Sequence, residues 1–430
     1  MEILKKTVIN NGILEVLRIK PFLFMMISEF FSQFAFNMQN FVLIFLIYGA
    51  TRSNTAVSGV ILSFTIPAVL FSIFSGVYVD RWDKKKIIFF THLFRGLVIL
   101  LFLIPSLHIG YMYILVFLIA IATQFFIPAE TAIIPSLIPK KLIISGNAVF
   151  AFGLYSTILL GYILSGPILI LIGKNNTIIF LSLLFFISTF FVAAIKLSKR
   201  YKSHNHEHFS SRPISIAYET REIFSFIRRA RKVMHALLML TIAQAVMFTF
   251  AVLGPGYVTT ILSAPLESLS WVLIAPAGIG MGIGVILLGS IGKKFKEMRL
   301  SALGFLVVGA AFILLPFGSQ FASREFVFTL NSYLPSMLHI IILHIIIVLA
   351  FIIGFSISLV FIPSNATIQI ETGERLRGRI YGFLNALVGA VSFLPVILSG
   401  GLADILGVGT VIFGVGILMV ILSIIFFVSQ

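Results

Sequence analysis

The chain has 430 residues, of which 59% are hydrophobic and only 11% are charged. A soluble domain averages about half apolar and about a quarter charged residues, so this chain has too few charged side chains to cover a water-facing surface. Cysteine is absent, which excludes disulfides, thiol nucleophiles and Cys-ligated metal centres. The formal charge of +16 would suggest nucleic-acid binding in a soluble protein, but in membrane proteins basic residues concentrate in cytoplasmic loops. The composition therefore predicts an integral membrane protein.

Apolar runs, interrupted by charged or turn-forming residues, divide the chain into twelve segments. About 20 apolar residues suffice for a helix to span a bilayer. The predicted spans are 22–48, 55–78, 87–107, 110–135, 143–172, 177–197, 234–262, 269–291, 299–318, 337–362, 379–400 and 407–429. No stretch without a span reaches the roughly 100 residues of a typical soluble domain. The predicted fold class is an all-α membrane protein with twelve transmembrane helices in two six-helix bundles.

The positions of lysine and arginine predict the orientation of these spans. If the N-terminus is cytoplasmic, only Arg52, Lys174 and Arg324 of the 31 basic residues fall in loops on the outer side, and Arg95 lies within a span. Basic residues favour cytoplasmic loops, and a miscounted span would reverse every later loop and remove this asymmetry. We therefore expect a multi-pass protein of the cell (plasma) membrane with both termini cytoplasmic.

The longest polar segment follows the sixth span and predicts the domain organisation. We expect an N-terminal bundle over 1–197, a cytoplasmic linker over 198–233 and a C-terminal bundle over 234–430. Apolar residues recur in the linker at helical spacing, namely Ile216, Ile223, Phe224, Ile227 and Ala230. Neighbouring arginines favour an interfacial helix held by anionic lipid. A solvated basic linker is the alternative.

An internal repeat supports the two-bundle prediction. Phe126-Ile127-Pro128 near the end of the fourth span recurs as Phe361-Ile362-Pro363 at the end of the tenth. Two parallel six-helix repeats are a transporter plan in which the substrate site lies between the halves, near the middle of the membrane.

A basic loop follows the second span, and residues 76–86 read GVYVDRWDKKK. Its main features are Gly76, which permits close helix approach, Asp80, which can cap or face the positive N-terminus of a neighbouring helix, and the cations Arg81, Lys84 and Lys85, which hold the loop on the inner side. The loop resembles the signature loop between helices two and three of the major facilitator superfamily. Its Asp-Arg-Trp-Asp form is similar to the drug:proton antiporter branch that contains macrolide-efflux and enterobactin-export proteins. This resemblance implies that the loop is a conformational gate.

Further segments are similar to the same branch, including residues 128–139 at the junction of the fourth and fifth helices and residues 376–381 at the eleventh. The resemblance implies an exporter of hydrophobic compounds that works by alternating access. One departure concerns the fourth helix, where many drug antiporters carry an arginine linked to proton coupling. This chain has no arginine between Tyr111 and Pro135, and the nearest intramembrane cation is Arg95.

Three ionisable residues fall within predicted spans: Glu29, Arg95 and Glu130. Each costs about 2.5 kcal/mol or more at the centre of a membrane helix, so such residues are functional candidates. Removing a carboxylate from water favours its protonated form. We therefore expect one of the two acids to carry an exchanged proton, with Arg95 as its counter-charge. The alternative is a static Glu–Arg pair that braces helix packing.

Neutral polar residues on the predicted cavity helices complete the candidate site. They are Gln33, Asn37, Asn40, Gln124, Gln244 and Asn365. Each of them is a candidate for contact with an amphipathic substrate, and each is also suited to hydrogen bonding between helices.

Other motifs predict no further chemistry. His204, His206, Glu207 and His208 have the chemistry of metal ligands but no second ligand cluster, so no metal site is expected. The glycines before Lys293 lie on an apolar span and lack the Ser or Thr of a phosphate loop, which favours close helix packing. No nucleophile–His–acid arrangement is evident. We expect neither a cofactor nor enzymatic activity.

These observations predict a secondary active transporter for proton-coupled efflux of hydrophobic or cationic drugs such as macrolide-like compounds. The alternative within transport is an exporter or flippase of an amphipathic metabolite, such as a siderophore or lysophospholipid. A non-transporting scaffold or an intramembrane enzyme is disfavoured by the absence of catalytic clusters. The expected partners are a small-molecule substrate, protons and membrane lipid, without nucleic acid, and the protein is expected to be a monomer.

Overall fold

The structure, a computed structural model, describes residues 12–104, 108–196, 224–291, 297–317, 342–372 and 374–428. Within these ranges the regular secondary structure is entirely helical. The principal helices are α1 (Lys20–Thr51), α2 (Asn54–Arg81), α3 (Lys84–Leu100), α4 (Ile109–Leu137), α5 (Ile143–Ala194), α6 (Arg231–Gly256), α7 (Ala275–Ile291), α8 (Glu297–Leu314), α9 (Ile342–Glu371), α10 (Glu374–Leu406) and α11 (Val408–Val428). The prediction of an all-α fold is therefore confirmed.

Ten helices in the described ranges are long and apolar enough to cross a membrane, and α8 is a shorter apolar helix. The 52-residue α5 consists of two helices joined across a kink at Gly173. Gly173 has a φ of 76° and a ψ of 168°, a conformation that glycine adopts readily because it has no Cβ. The kink lies where the sequence predicts the break between the spans 143–172 and 177–197. The predicted boundaries at 318 and 337 lie outside the described residues.

The described residues form two compact units. The first contains the chain up to Val42 and from Ser63 to 196, and the second contains Leu43–Leu62 together with the chain from 224 onward. The end of α1 and the start of α2 thus belong to the second unit. The bundles predicted over 1–197 and 234–430 remain a prediction.

The core of the first unit contains buried apolar side chains from α1, α3, α4 and α5. Phe22, Ile88, Phe126 and Val192 are representative, and each is almost completely buried. This core lies beside the ionisable residues of the candidate site.

In the second unit, α7 and α9 approach closely through glycines. A Cβ at Gly280 would overlap the carbonyl oxygen of Phe351, and a Cβ at Gly354 would overlap the carbonyl of Ala277. Gly282 on the same helix has open space where a Cβ would lie. The contacts at Gly280 agree with the interpretation of this glycine-rich span as a packing surface.

Most of the predicted linker helix lies outside the described residues. Its last part, 224–229, is helical, and Ile227 is buried in the core of the second unit. The ring of Phe224 packs edge-on against Phe383, with 5.3 Å between ring centroids. Ile227 and part of the Phe224 ring therefore pack on protein, while Phe224 is still 55% exposed, and lipid binding by the segment remains a prediction.

The contact between α7 and α9 predicts different effects for two glycine substitutions on one helix. Gly280→Ala would force the helices apart and lower the stability by about 1–3 kcal/mol, the usual cost of overpacking. Gly282→Ala is the matched control, and its added methyl group stabilises the helix by up to about 1 kcal/mol. Thermal unfolding of the purified variants measures the difference. Equal melting temperatures for the two variants would contradict the observed packing.

Candidate functional site

The structure brings together the three ionisable residues that the sequence singles out. Glu29 on α1, Arg95 on α3 and Glu130 on α4 are 1%, 1% and 2% exposed, and all belong to the first unit. The carboxyl groups of Glu29 and Glu130 lie beside each other, and both interact electrostatically with the Arg95 guanidinium. Three helices therefore contribute one charged group each to a common buried cluster.

Arg95 is held by aromatic rings. Its guanidinium carbon lies 4.7 Å from the ring centroid of Phe126, 5.5 Å from that of Phe36 and 6.0 Å from that of Phe185. Among the described residues, no carboxylate oxygen lies within 4.0 Å of its nitrogens. Cation–π contacts in a desolvated site contribute about 2 kcal/mol or more. The direct Glu–Arg pair that the sequence offers as an alternative is therefore absent from this conformation.

The acids of the cluster are short of hydrogen-bond donors. Both carboxyl oxygens of Glu29 and one of Glu130 have no hydrogen-bond partner in the described part of the chain. Ionised carboxylates only accept hydrogen bonds, so the two acids can bond to each other only when one of them carries a proton. Glu29 and Glu130 therefore lie side by side without a hydrogen bond between them in this conformation, and a proton on either acid would supply the missing donor.

His92 is a buried member of this cluster that the sequence analysis missed. It is fully buried on α3, and its ring lies 4.9 Å from that of Phe126. Neither ring nitrogen has a hydrogen-bond partner among the described groups. His92 and Arg95 are three residues apart, which places both on one face of a helix. This spacing could have identified His92 from the sequence as a neighbour of Arg95.

The neutral candidates occupy varied environments. Gln33 is one turn from Glu29 and close to its carboxyl group, while the Asn37 side chain donates to the Gln33 carbonyl oxygen at 2.7 Å. The Asn40 side chain donates to the Tyr162 hydroxyl at 3.4 Å. Asn37 and Asn40 thus take part in hydrogen bonds within the first unit.

In the remaining helices, Gln124 and Gln244 are half-buried, on α4 and α6 respectively. Asn365 on α9 donates to the carbonyl of Phe361 at 2.8 Å and accepts from the hydroxyl of Tyr381 at 3.1 Å. Its amide therefore links α9 to α10.

The signature loop is described in part. Helix α2 ends at Arg81, and the surroundings of Gly76 and the side chains of Asp80 and Arg81 lie outside the described part of the structure. Lys84 is half-buried at the start of α3. The Lys85 ammonium donates to the carbonyl oxygens of Ala193 and Ile195 at 2.9 and 2.8 Å, at the end of α5. Cations stabilise helix C-termini, so Lys85 fixes this loop to α5 within the first unit.

No metal-ligand cluster of three or more His, Asp or Glu residues occurs in the described ranges. The histidines at 204, 206 and 208 and Glu207 lie outside those ranges, so the expectation about them remains a prediction.

Comparisons with known proteins agree with this architecture. The family model described as Major Facilitator Superfamily matches residues 25–395. The uncharacterized MFS-type transporter YfiS of Bacillus subtilis (strain 168) is 22% identical over 372 residues, covering 86% of this chain and 83% of that protein. The putative bacilysin exporter BacE of the same organism is 34% identical over 142 residues, covering 33% of this chain and 35% of that protein.

Solved transporter structures share the fold at low sequence identity. The nucleoside transporter NupG superposes with a TM-score of 0.71 at 11% identity, covering 95% of this chain and 99% of that one. The POT family transporter PepTSo superposes with a TM-score of 0.67 at 13% identity, covering 95% and 97%. With a family model that matches most of its length, this chain belongs to the Major Facilitator Superfamily and is a multi-pass membrane transporter, not an enzyme.

Proposed function

We propose that this transporter is a proton-coupled exporter of hydrophobic or cationic drugs, in which the carboxyl pair Glu29–Glu130 carries the exchanged proton. The observation that carries the proposal is the burial of these two acids side by side, next to Arg95. The protein would work as a monomer in the plasma membrane, with twelve spans and cytoplasmic termini. This assignment places it in the drug:proton antiporter branch.

The charge of the cluster supplies a reason for exchange. With both acids ionised and Arg95 charged, the three groups carry a net charge of −1. Either one proton or one monovalent cationic substrate brings that charge to zero, and a net buried charge is costly in a low-dielectric interior. Proton and cationic substrate would therefore compete for one neutral state, which is the requirement for antiport.

The surroundings of the pair suit an apolar or cationic substrate. Phe36, Phe126 and Phe185 supply the rings around Arg95, and Gln33 adds a polar group beside Glu29. Aromatic faces attract organic cations as they do a guanidinium. The 34% identity to a putative bacilysin exporter over a third of the chain supports the outward direction of transport.

The proton role of the acids predicts the behaviour of two conservative variants. Glu29→Gln and Glu130→Gln keep the side-chain shape but remove the exchangeable proton. In proteoliposomes with an imposed pH gradient, we expect each variant to lower gradient-driven ethidium transport to the level of liposomes without protein. Fluorescence of ethidium and of a lumenal pH indicator measures both fluxes.

A third variant controls for neutralising an acid. Glu15→Gln removes an exposed carboxylate whose ion pair with Lys141 has an N–O distance of 2.6 Å, and such pairs contribute about 0–1 kcal/mol. This variant should transport at the wild-type rate. Wild-type flux in both Glu29→Gln and Glu130→Gln would refute the proton role of the pair.

The aromatic contacts of Arg95 predict separate effects of charge and shape. Arg95→Lys retains the charge but loses the contacts of the planar guanidinium with three rings, so it should keep coupled transport while losing about 2 kcal/mol of stability. Arg95→Met removes the counter-charge and should abolish coupled transport. Thermal unfolding and proteoliposome flux measure the two effects. An Arg95→Met protein with wild-type coupling would show that the guanidinium has only a packing role.

A further inference from the structure

A carboxylate at the end of α10 holds the start of α2. Both Asp404 oxygens accept hydrogen bonds: the Ser53 hydroxyl donates at 2.6 Å, the Thr55 hydroxyl at 2.7 Å and the Thr55 backbone N–H at 3.0 Å. The Asn54 backbone N–H donates at 2.8 Å and its side-chain amide at 3.0 Å. One side chain thus accepts five hydrogen bonds from three consecutive residues about 350 positions away in sequence.

These hydrogen bonds complete the N-terminus of α2. The first N–H groups of a helix have no partner within the helix, and a negative charge there is favourable. Helix α2 has no acidic residue in its own first turn. The Ser53 hydroxyl accepts from the Ala56 N–H at 3.2 Å while it donates to Asp404, so it links the helix end to the carboxylate.

Other contacts hold the same region, residues 48–58, which we call the α1–α2 tip. The Ser58 hydroxyl donates to the Val396 carbonyl at 2.7 Å, and the hydroxyls of Tyr48 and Thr259 are 2.9 Å apart. A Cβ at Gly400 would overlap the Ser58 hydroxyl and lie 2.8 Å from the Asn54 carbonyl oxygen. The tip therefore packs closely on α10 and is held there by hydrogen bonds and van der Waals contacts.

The two helices that carry the tip are shared between compact units. In α1 the boundary falls between Val42 and Leu43, and in α2 it falls between Leu62 and Ser63. The tip thus belongs to the second unit, while the remainder of both helices belongs to the first. Asp404 is exposed, so water is able to replace these hydrogen-bond donors when the tip moves away.

We propose that Asp404 is a releasable latch, which holds the α1–α2 tip on α10 in this conformation and lets go of it once per transport cycle. The proposal rests on the proposed function only in assuming that transport proceeds by alternating access. It assigns to Asp404 a positioning role distinct from the proton-carrying role of Glu29 and Glu130.

The absence of native cysteine allows this proposal to be tested by spin labelling. Arg52→Cys and Ile405→Cys place labels beside Ser53 and Asp404, at two exposed positions. Double electron–electron resonance in lipid nanodiscs, without substrate or pH gradient, then measures the ratio of short to long label distances. Since hydrogen bonds to charged groups contribute more than neutral ones, Asp404→Asn should lower this ratio about tenfold.

Two further variants sharpen the test. Glu267→Gln neutralises a carboxylate in the turn between α6 and α7 and should leave the ratio unchanged, because its side chain has no hydrogen bond in the described structure. Gly400→Val adds bulk beneath the tip and should lower the ratio as Asp404→Asn does. If Asp404→Asn does not fold, the double variant Ser53→Ala/Thr55→Val removes two of the five donors and should give a smaller shift in the same direction.

An unchanged distance distribution in a folded Asp404→Asn or Ser53→Ala/Thr55→Val protein would overturn the latch. The readout separates this failure from failure of the proposed function. If the variants release the tip but the wild type shows no ethidium flux, the latch stands and drug export is refuted. If wild-type flux is proton-coupled and the tip does not move in these variants, the latch is refuted and drug export stands.

Discussion

The interior of the first unit depends on how a guanidinium is accommodated away from water. The charge of Arg95 is costly to remove from water. Three phenylalanine rings and two nearby acids stabilise it, although neither acid forms a direct ion pair with it. A tight ion pair would bind each acid strongly to Arg95. The looser arrangement leaves carboxyl oxygens without partners and so leaves them open to a proton or a cation.

This constraint distinguishes the two repeats of the chain. Phe126 belongs to the first copy of the repeated tripeptide and contacts both Arg95 and His92. Its counterpart, Phe361, packs against the apolar core of the second unit, and its backbone carbonyl accepts a hydrogen bond from Asn365 on the same helix. The repeat thus preserves helix packing in both halves, while the described buried acids lie in the first half alone. Such asymmetry assigns the proposed coupling to the first unit and leaves the second free for other roles.

Much of the fold was predictable because helix length and loop charge are local properties of the sequence. The break near Gly173 and the close packing at Gly280 followed from residue type and position. The partners of Arg95 could not be predicted from the sequence, because they depend on the rotation of three helices about their axes. Hydropathy does not determine that rotation. The hydrogen bond between Ser53 and Asp404 was also not predicted from the sequence. The two residues are 351 positions apart, and each lies at an ordinary helix end.

In the transport cycle proposed above, substrate and proton compete for the cluster of Glu29, Glu130 and Arg95. Proton release from the purified protein on ligand addition tests it most directly, with ethidium added to weakly buffered detergent solution and a pH-sensitive dye as the readout. We expect the wild type to release about one proton for each ethidium bound, as the charge balance of the cluster requires. Glu29→Gln and Glu130→Gln should release none. Equal proton release by the wild type and both variants would contradict the account.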